Sequence, residues 1–322
     1  MIYTKRIIVL VLLFMVTFGC FAQGANEATE TIIKFPTAGA SGALYSVGAV
    51  ITNLWTTKIP NVKASSQASA GGIDNLNQIA DGESQVSIAI SSNCWQSYNG
   101  TDSFEGNANP KLRVIAGLYF NPNQVVVTQK SGVTSLSDLK GKHFAVASAG
   151  SSVEGEVKNH LTAIGFTYPD DIKAEYLAFA DSVDLLQNGQ LDGAWIMSGA
   201  PAAAVSQALA SGCVLVNIED SVIETLQTEY PWYASYMIPA NTYVNQSDDV
   251  QTSAIKMVMF CSSDLDDEVV YQLTKTFWEN IEELGVAQKN LKGLTPENAV
   301  IDISGLPLHD GAYRYYKEIN VL

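Results

Sequence analysis

The chain has 322 residues, 33 of them acidic and 18 basic, so its formal net charge is −15. This balance argues against nucleic-acid binding, which needs a basic stripe to neutralise phosphates, and against electrostatic docking on an anionic membrane. A mature chain of about 300 residues exceeds one typical hydrophobic core and predicts two lobes.

The N-terminus has the features of a secretion signal. Lys5 and Arg6 precede an unbroken apolar run over 7–16. That run is too short to cross a bilayer as a stable helix, which needs about 20 apolar residues. We therefore expect a signal peptide over 1–19 and a mature protein that works outside the cytoplasm, in the periplasm.

Two processing routes remain open after the apolar run. Gly19-Cys20 resembles a bacterial lipobox, which would make Cys20 a lipidated first residue. Alternatively, Cys20-Phe21-Ala22 resembles a small-x-Ala site for ordinary signal peptidase. In either case we expect residues 20–30 to be a flexible tether, and a lipid anchor at Cys20 would be the membrane attachment.

Three stretches share one pattern, in which a strand leads into a turn of small residues and then an amphipathic helix. The strand, turn and helix are 32–35, 38–42 and 45–55; 62–64, 69–72 and 73–80; and 143–147, 148–152 and 153–164. Each turn leaves backbone N–H groups unpaired at a helix start, where anions bind without a basic side chain. Gly and Ser are also ordinary turn and cap residues. Their repetition favours a cleft for a small carboxylate or phosphate.

Strands and helices keep alternating along the rest of the chain. Predicted strands are 86–90, 112–118, 124–128, 175–177, 193–196 and 214–218, and predicted helices are 136–139, 181–188, 202–210, 266–284 and 312–319. Such alternation is typical of mostly parallel sheets flanked by helices. In open sheets of this kind, ligands bind beyond the carboxyl ends of the strands, where the small turns lie.

The predicted fold class is therefore α/β, with two lobes that form a clamshell, each a mostly parallel sheet flanked by helices. We place the passages between the lobes near 123–129 and 236–243. One lobe then comprises 31–124 plus 239–322, and the other comprises 125–238.

Motifs of known enzymes are missing from the sequence. Residues 137–140 match Ser-x-x-Lys, but they lie in a short capped turn and no Lys-Thr-Gly accompanies them. The sequence contains neither a Gly-x-Ser-x-Gly elbow, nor a phosphate-binding Gly-x-x-x-x-Gly-Lys loop, nor a complete Gly-x-Gly-x-x-Gly after a strand. We expect a protein that is not an enzyme and needs no cofactor.

Cysteines and histidines are too scattered for a metal site, so none is expected. His143, His160 and His309 show no ligand spacing. The three cysteines beyond Cys20, at 94, 213 and 261, are far from any Cys-x-x-Cys pattern and leave one disulfide or three free thiols open.

Over almost all of its mature length the chain resembles the TAXI-type substrate-binding proteins of TRAP transporters. The matching segments are 39–45 with Gly48, 69–76, 117–119, 131–142, 149–152, 186–194, 199–201 and 238–243. The Asp-Leu-Lys-Gly-Lys piece at 138–142 recurs in many binding-protein families. The order and spacing of the whole set are more specific.

The resemblance implies a type II-like periplasmic-binding-protein clamshell. Such a protein captures a small organic acid or amino acid, glutamate-like or a dicarboxylate, and delivers it to TRAP permease subunits. We expect it to act as a monomer. One departure is that Ser91-Ser92-Asn93 stands where a Val-Gln-Ser-Asp-like segment is expected. A neutral Asn93 would weaken recognition of an ammonium group and favours a ligand with an uncharged amine or a plain carboxylate.

The candidate ligand-binding residues lie mainly at the small turns. Serines 41, 69, 151 and 152 would donate hydroxyls, Asn75 and Asn93 would orient the ligand, and Tyr45 or Tyr119 would wall the pocket. The full set is Gly39, Ser41, Gly42, Tyr45, Ser69, Ala70, Gly71, Asn75, Ser91, Asn93, Tyr119, Ser148, Gly150, Ser151, Ser152, Ser198 and Gly199. Two other functions remain open: a sensory or surface lipoprotein that reports its ligand to a partner, and an enzyme that uses an acidic pair on the same scaffold.

Overall fold

A computed structural model describes residues 30–40, 42–230 and 232–322. The predicted signal peptide, most of the tether and the lipidation site Cys20 lie outside these residues. Residues Ile32–Leu322 form one compact unit. Within the described ranges, no helix is both long and apolar enough to cross a membrane.

The strands follow the chain in this order: β1 (Thr31–Pro36), β2 (Val62–Gln67), β3 (Val86–Ile90), β4 (Leu112–Thr128), β5 (His143–Ala145), β6 (Lys173–Glu175), β7 (Gly193–Met197), β8 (Cys213–Val216), β9 (Ala234–Ile238) and β10 (Val250–Ser262). The helices between β1 and β9 are α1 (Ala43–Lys58), α2 (Gly72–Ala80), α3 (Ser91–Asn99), α4 (Ser152–Ala163), α5 (Phe179–Gln187), α6 (Ala203–Ala210) and α7 (Asp220–Glu229). After β10 come α8 (Asp267–Glu279), α9 (Ile281–Ala287), α10 (Pro296–Ala299) and α11 (Asp310–Glu318).

Two long antiparallel strands, β4 and β10, organise the sheet. Its order is β3-β10-β4-β7-β5-β6, with β8 also paired to β4 and β9 also paired to β10, while β1 and β2 form a separate pair. Along its length β10 changes partner, from β9 at 250–254 to β3 at 257–261. Likewise, β4 pairs with β10 up to Pro122 and with β7 from Asn123. We call the part around β1–β3 lobe 1 and the part around β5–β9 lobe 2.

The helices pack on these strands through apolar residues that recur with the period of an α-helix. Helix α1 buries Val47, Ile51 and Leu54 on one face, the i, i+4, i+7 stripe of an amphipathic helix. Its Trp55 is fully buried, and the indole N–H donates to the carbonyl of Leu273 in α8 at 3.1 Å. This packing fixes where the first turn of α1 begins, and that turn faces the site described below.

The α/β class with flanking helices is as predicted, but the sheet is mixed instead of mostly parallel. Only β5 runs parallel to its neighbours β6 and β7 among the described pairs. The long strands pair antiparallel with β3, β7, β8 and β9. The predicted strands 112–118 and 124–128 are one strand, because a bulge opposite Met257 bends β4 without ending it.

Other elements were missed or divided differently. The sequence patterns did not predict α3, α7 or β10. Residues 236–243, expected to be a passage between the lobes, contain the end of β9 and a turn. The single predicted helix 266–284 is two helices separated at Asn280. The side chain of Asn280 donates to the carbonyl of Thr276 at 2.8 Å, a local bond of the kind that competes with helix continuation.

Candidate functional site

A cavity of about 170 Å³ lies where the two lobes meet, and we call it the front cavity. Nine of the seventeen predicted site residues line it: Gly39, Gly42, Ser69, Ala70, Gly71, Ser148, Ser151, Ser152 and Ser198. They come from the three predicted strand–turn–helix stretches and from the turn after β7, so each lobe contributes two turns. Ser41 belongs to the same turn as Gly39 and Gly42 but lies outside the described residues.

Three of the helices that begin at the front cavity start from the predicted small-residue turns. Helices α1 and α2 start after Gly42 and Gly71, which have no side chain to cap the first turn. Helix α4 starts after Ser151, whose hydroxyl accepts from the amide of Glu154. Because the positive ends of these helix dipoles meet at one cavity, it is suited to an anion in the absence of a basic side chain.

Serine hydroxyls at the front cavity differ in what they are free to bind. Ser69 donates to the Oδ1 of Asn75 at 2.6 Å and accepts from the amide of Gly71, so it is largely committed. Ser198 accepts from the amide of Ala43 at 2.9 Å. The Oγ of Ser152 is buried and has no hydrogen-bond partner among the described residues. A buried hydroxyl left unpaired costs about 1–3 kcal/mol, so Ser152 is the hydroxyl that gains most from a ligand.

The lining of the front cavity is electrically neutral. None of the described lining residues is Asp, Glu, Lys, Arg or His. The side-chain amide of Asn121 is 9% exposed and makes no hydrogen bond to a described residue, which leaves it available to a ligand. Leu44, Phe179 and Met257 contribute an apolar wall. The cavity therefore offers polar groups to one part of a ligand and apolar contact to the rest.

Some predicted residues build the site without lining it. Asn75 is fully buried, and its amide donates to the carbonyls of Thr37 at 2.8 Å and Ile88 at 3.1 Å. It thereby holds β1, β3 and the start of α2 together. Gly150 is also absent from the lining, and its amide donates to the carboxylate of Glu154 at 2.5 Å.

The remaining predicted residues do not line the front cavity either: Tyr45, Ser91, Asn93, Tyr119 and Gly199. Asn93 donates to Gln96 at 2.9 Å within α3, so its replacement of a carboxylate has no direct effect on the lining. Gly199 packs so tightly that an added Cβ would lie 2.4 Å from the Nδ2 of Asn290 and 2.8 Å from the ring of Tyr119. Burial raises the pKa of the Tyr119 phenol.

The sequence analysis missed several lining residues. Asn121 and Met257 lie within the two long strands, and Phe179 is the first residue of α5. None belongs to a Gly/Ser turn, which was the signal used. Asn121 was detectable as the first of three closely spaced amide side chains in an otherwise apolar strand. The contribution of Met257 depends on the pairing of β10 with β4.

Behind the front cavity, a buried polar cluster ties α4 to both long strands. The Nδ2 of Asn123 in β4 donates to Glu156 at 3.2 Å and to the Oγ of Ser253 in β10 at 2.9 Å. The Nε2 of His160 lies 2.6 Å from the same Ser253 Oγ. Burial raises the pKa of Glu156 to about 7 and lowers the pKa of His160 to about 4. The neutral forms of both groups are therefore favoured in the folded protein.

The described part of the chain shows no candidate metal site. No group of three or more His, Cys, Asp or Glu residues there is arranged to hold a metal ion. Cys94, Cys213 and Cys261 are buried free thiols, and burial raises the pKa of each. Buried thiols with a raised pKa are unreactive, so they contribute to packing.

A comparison with protein-family models matches residues 35–319 to the NMT1-like family. The chain belongs to this family. The match covers β2–β10 and every helix named above, so the elements that form the front cavity are part of the NMT1-like region.

Solved structures of other proteins have the same fold as this chain. A Bordetella bronchiseptica RB50 protein has 15% identity, with 90% of this chain and 98% of that chain covered and a TM-score of 0.56. A structure from work on glutathione import via GshT and the cystine ABC importer TcyBC of Streptococcus mutans has 11% identity, coverages of 88% and 100%, and a TM-score of 0.52. The alkanesulfonate-binding protein SsuA from Xanthomonas axonopodis pv. citri, bound to MOPS, has 16% identity, coverages of 90% and 84%, and a TM-score of 0.50. The NMT1-like chain thus has the α/β periplasmic-binding-protein fold, as the sequence predicts.

Proposed function

We propose that this protein is an extracytoplasmic solute-binding protein that captures a small organic acid between its lobes and delivers it to a membrane permease. The observation that carries the proposal is the meeting of three helix N-termini, from both lobes, at one neutral cavity. Such helix ends supply N–H donors and a positive dipole end to a carboxylate. An alkanesulfonate-binding protein of the same fold is bound to MOPS, a compound that carries a sulfonate group.

The neutral lining favours a ligand with one anionic group and an apolar remainder. A glutamate-like amino acid would bring an ammonium group, and a dicarboxylate a second negative charge, for which the described lining has no countercharge. The volume of about 170 Å³ is slightly larger than a cavity of about 150 Å³ that accommodates benzene. The preferred ligand is therefore a small monocarboxylate, bound through its carboxylate at the helix ends and through its tail at Leu44, Phe179 and Met257.

Capture would follow from closure of the lobes. Contacts already run across the front cavity, since Ser198 of lobe 2 accepts from Ala43 of lobe 1 at 2.9 Å. An added Cβ on Gly72 of lobe 1 would lie 3.1 Å from the Oγ of Ser152 of lobe 2. A ligand that touches both lobes only when they are closed favours the closed state. We place the passages between lobes in β4 at 121–124 and in β10 at 254–257, where both strands change partners.

Two kinds of permease fit this role. The sequence motifs resemble TAXI-type proteins, which serve TRAP permeases driven by ion gradients. Work on a structure of the same fold concerns an ABC importer. We propose the TRAP permease as the partner, with the protein periplasmic and monomeric and with Cys20 as its lipid anchor. Uptake into vesicles that contain the cognate permease distinguishes the two, because TRAP transport needs an ion gradient and ABC transport needs ATP.

Thermal unfolding in the presence of candidate ligands tests the proposal. The ligand-free protein is titrated with monocarboxylates, dicarboxylates, amino acids, sulfonates and sugars. A ligand at about 100 times its dissociation constant should stabilise the fold by about 2.7 kcal/mol. A selective shift with a monocarboxylate that is recovered unchanged supports the proposal. A shift with sugars alone would contradict the anion site, and chemical conversion of the ligand would make the protein an enzyme.

Ser152→Ala then localises the ligand. We expect about tenfold weaker binding, since a hydrogen bond to a charged group contributes about 1.5–3 kcal/mol. The matched control is Ser221→Ala, which removes an exposed hydroxyl from the first turn of α7, away from the cavity. Equal affinity in both variants would place the ligand elsewhere.

A further inference from the structure

A second, larger cavity lies on the opposite face of the two long strands, and we call it the rear groove. Its volume is about 1220 Å³. Asn121 and Met257 line the front cavity, whereas their chain neighbours Phe120 and Lys256 line the rear groove. Successive residues of a strand point to opposite faces of a sheet, so one pair of strands forms the floor of both cavities.

Aromatic rings from both lobes form the walls of the rear groove. Trp95 belongs to α3 of lobe 1, and its ring centroid lies 5.9 Å from that of Trp232, which precedes β9 in lobe 2. The ring centroid of Tyr230 lies 5.5 Å from that of Trp232 and 6.0 Å from that of Tyr233. All four aromatic residues line the groove. Faces of such rings attract cations, with Trp the most effective.

Carboxylates add a negative field to these rings. Asp102 and Asp302 of lobe 1 and Glu229 of lobe 2 line the groove, and all three are exposed. None of them forms an ion pair with a described residue. Burial, followed by the nearby Glu229 and Asp102 carboxylates, raises the pKa of Tyr230 to about 12. The carboxylates from the two lobes thus act on one aromatic ring.

The one basic side chain among the described lining residues, Lys256, interacts with the Asp302 carboxylate and so neutralises only part of this field. The Nζ of Lys256 donates to the carbonyls of Asn298 at 2.6 Å and Ile301 at 2.9 Å. It also lies 6.0 Å from the ring centroid of Phe120, so the floor of the groove already holds one ammonium against an aromatic face. The three carboxylates remain in excess over this single, committed cation.

We propose that the rear groove binds an organic cation, an ammonium ion that carries an apolar or aromatic body. The charge would lie between the carboxylates, and the body would lie against Trp95, Trp232 and Tyr230. A neutral apolar ligand would use the rings but leave the carboxylates unmatched. An anion would be repelled by them. This site is separate from the front cavity and does not depend on the function proposed for it.

Isothermal titration with choline and with benzyltrimethylammonium tests the proposal, with quenching of tryptophan fluorescence as a second readout. The uncharged isostere of choline, 3,3-dimethylbutan-1-ol, is the matched control ligand. We expect both cations to bind, and the isostere to bind at least about tenfold more weakly. No binding of either cation, or equal binding of the isostere, would overturn the proposal.

Variants locate the cation. Glu229→Gln should weaken choline binding by about tenfold, whereas Glu224→Gln, an exposed change on the same helix outside the groove, should not. Trp232→Leu should weaken binding and reduce the fluorescence change, of which the part due to Trp95 remains. Glu229 is exposed, so its variant keeps the test valid even if Trp232→Leu unfolds. Unchanged affinity in Glu229→Gln would overturn the proposed site.

Discussion

The backbone amide of Ala43 donates to the hydroxyl of Ser198 at 2.9 Å, and this bond joins the two lobes across the front cavity. Ala43 is the first residue of α1, so Ser198 supplies from lobe 2 the cap that Gly42 cannot give. The carbonyl of Ser198 in turn accepts from Gln124 in β4 at 2.7 Å. The closed arrangement is therefore stabilised at a helix end that also borders the ligand site.

Ser198→Ala should loosen this closed arrangement. A buried N–H left without a partner costs about 1–3 kcal/mol, so we expect the free energy of unfolding to fall by that amount in urea titrations. Ligand affinity should fall with it, because closure becomes less favourable. Ser206→Ala is the control: its hydroxyl bonds only within α6, to the carbonyl of Ala202 at 2.9 Å. Equal effects in the two variants would contradict a bridging role for Ser198.

Gly199→Ala and Gly155→Ala should have opposite effects. At Gly199 the new methyl would meet Asn290 and Tyr119, and such overpacking costs about 1–3 kcal/mol. Gly155 lies in α4 with no described atom within 4 Å of an added Cβ, so alanine should stabilise the helix by about 0.5–1 kcal/mol. Thermal unfolding measures both changes. A stabilised Gly199→Ala variant would show that the packing at this turn is looser than described.

Asn75→Ala tests whether Asn75 has a structural role. The change removes both donated bonds, to Thr37 and Ile88, and the acceptor of Ser69. We expect a loss of about 2–3 kcal/mol in unfolding free energy. Asn99→Ala, which removes an exposed bond to the carbonyl of Trp95, should cost less than about 0.5 kcal/mol. Normal stability with lost ligand binding would instead make Asn75 a direct ligand contact.

Stability should fall between about pH 6.5 and pH 8, and Glu156 should be the cause. Its pKa rises from 4.5 to about 7 on folding, so the folded state holds the extra proton and loses that stabilisation as the pH rises. His160 acts in the opposite sense, because its pKa falls from 6.5 to about 4, but its effect is complete above about pH 6.5. Only the loss due to Glu156 then remains.

Glu156→Gln should remove this pH dependence, since a neutral amide replaces the titrating carboxyl while still accepting from Asn123. Urea denaturation at about pH 6 and pH 8 measures it. The wild-type midpoint should fall between these two pH values, whereas the midpoint of the variant should not fall and should rise slightly, because His160 of the unfolded chain loses its proton over this range. A constant wild-type midpoint would show that Glu156 already ionises at lower pH.

Short sequence patterns predicted the turns and helix ends, because these depend on interactions between residues close together in the chain. The turn before α2 and the turn before α4 were recognised because Gly and Ser permit tight turns and leave helix ends open. The three helices were placed within three residues of their starts and ends. Contact with the front cavity also follows from this local geometry, as with Ser151 and Ser152.

The features that the sequence did not predict depend on contacts between distant parts of the chain. The strand β10 carries Lys256 inside an apolar run, which weakens its signal, and its place beside β4 depends on residues more than 100 positions away. Asn75 was predicted to touch the ligand because an amide near a helix start can do so. Instead, its side chain is buried because it donates to the carbonyls of Thr37, just after β1, and Ile88 in β3. No local sequence pattern reveals these partners.

The sharing of β4 and β10 between the lobes means that lobe 1 is not a continuous piece of chain. A fragment covering 125–238 would lack the strand at 250–254 that pairs with β9. A fragment ending at 124 would likewise lack the β10 residues that separate β3 from β4. Lobe 1 cannot be produced intact from one uninterrupted segment, whereas lobe 2 needs the whole segment from 123 to 254. Lobe 2 reaches its full strand complement only after residue 254 has been synthesised, when most of the chain already exists.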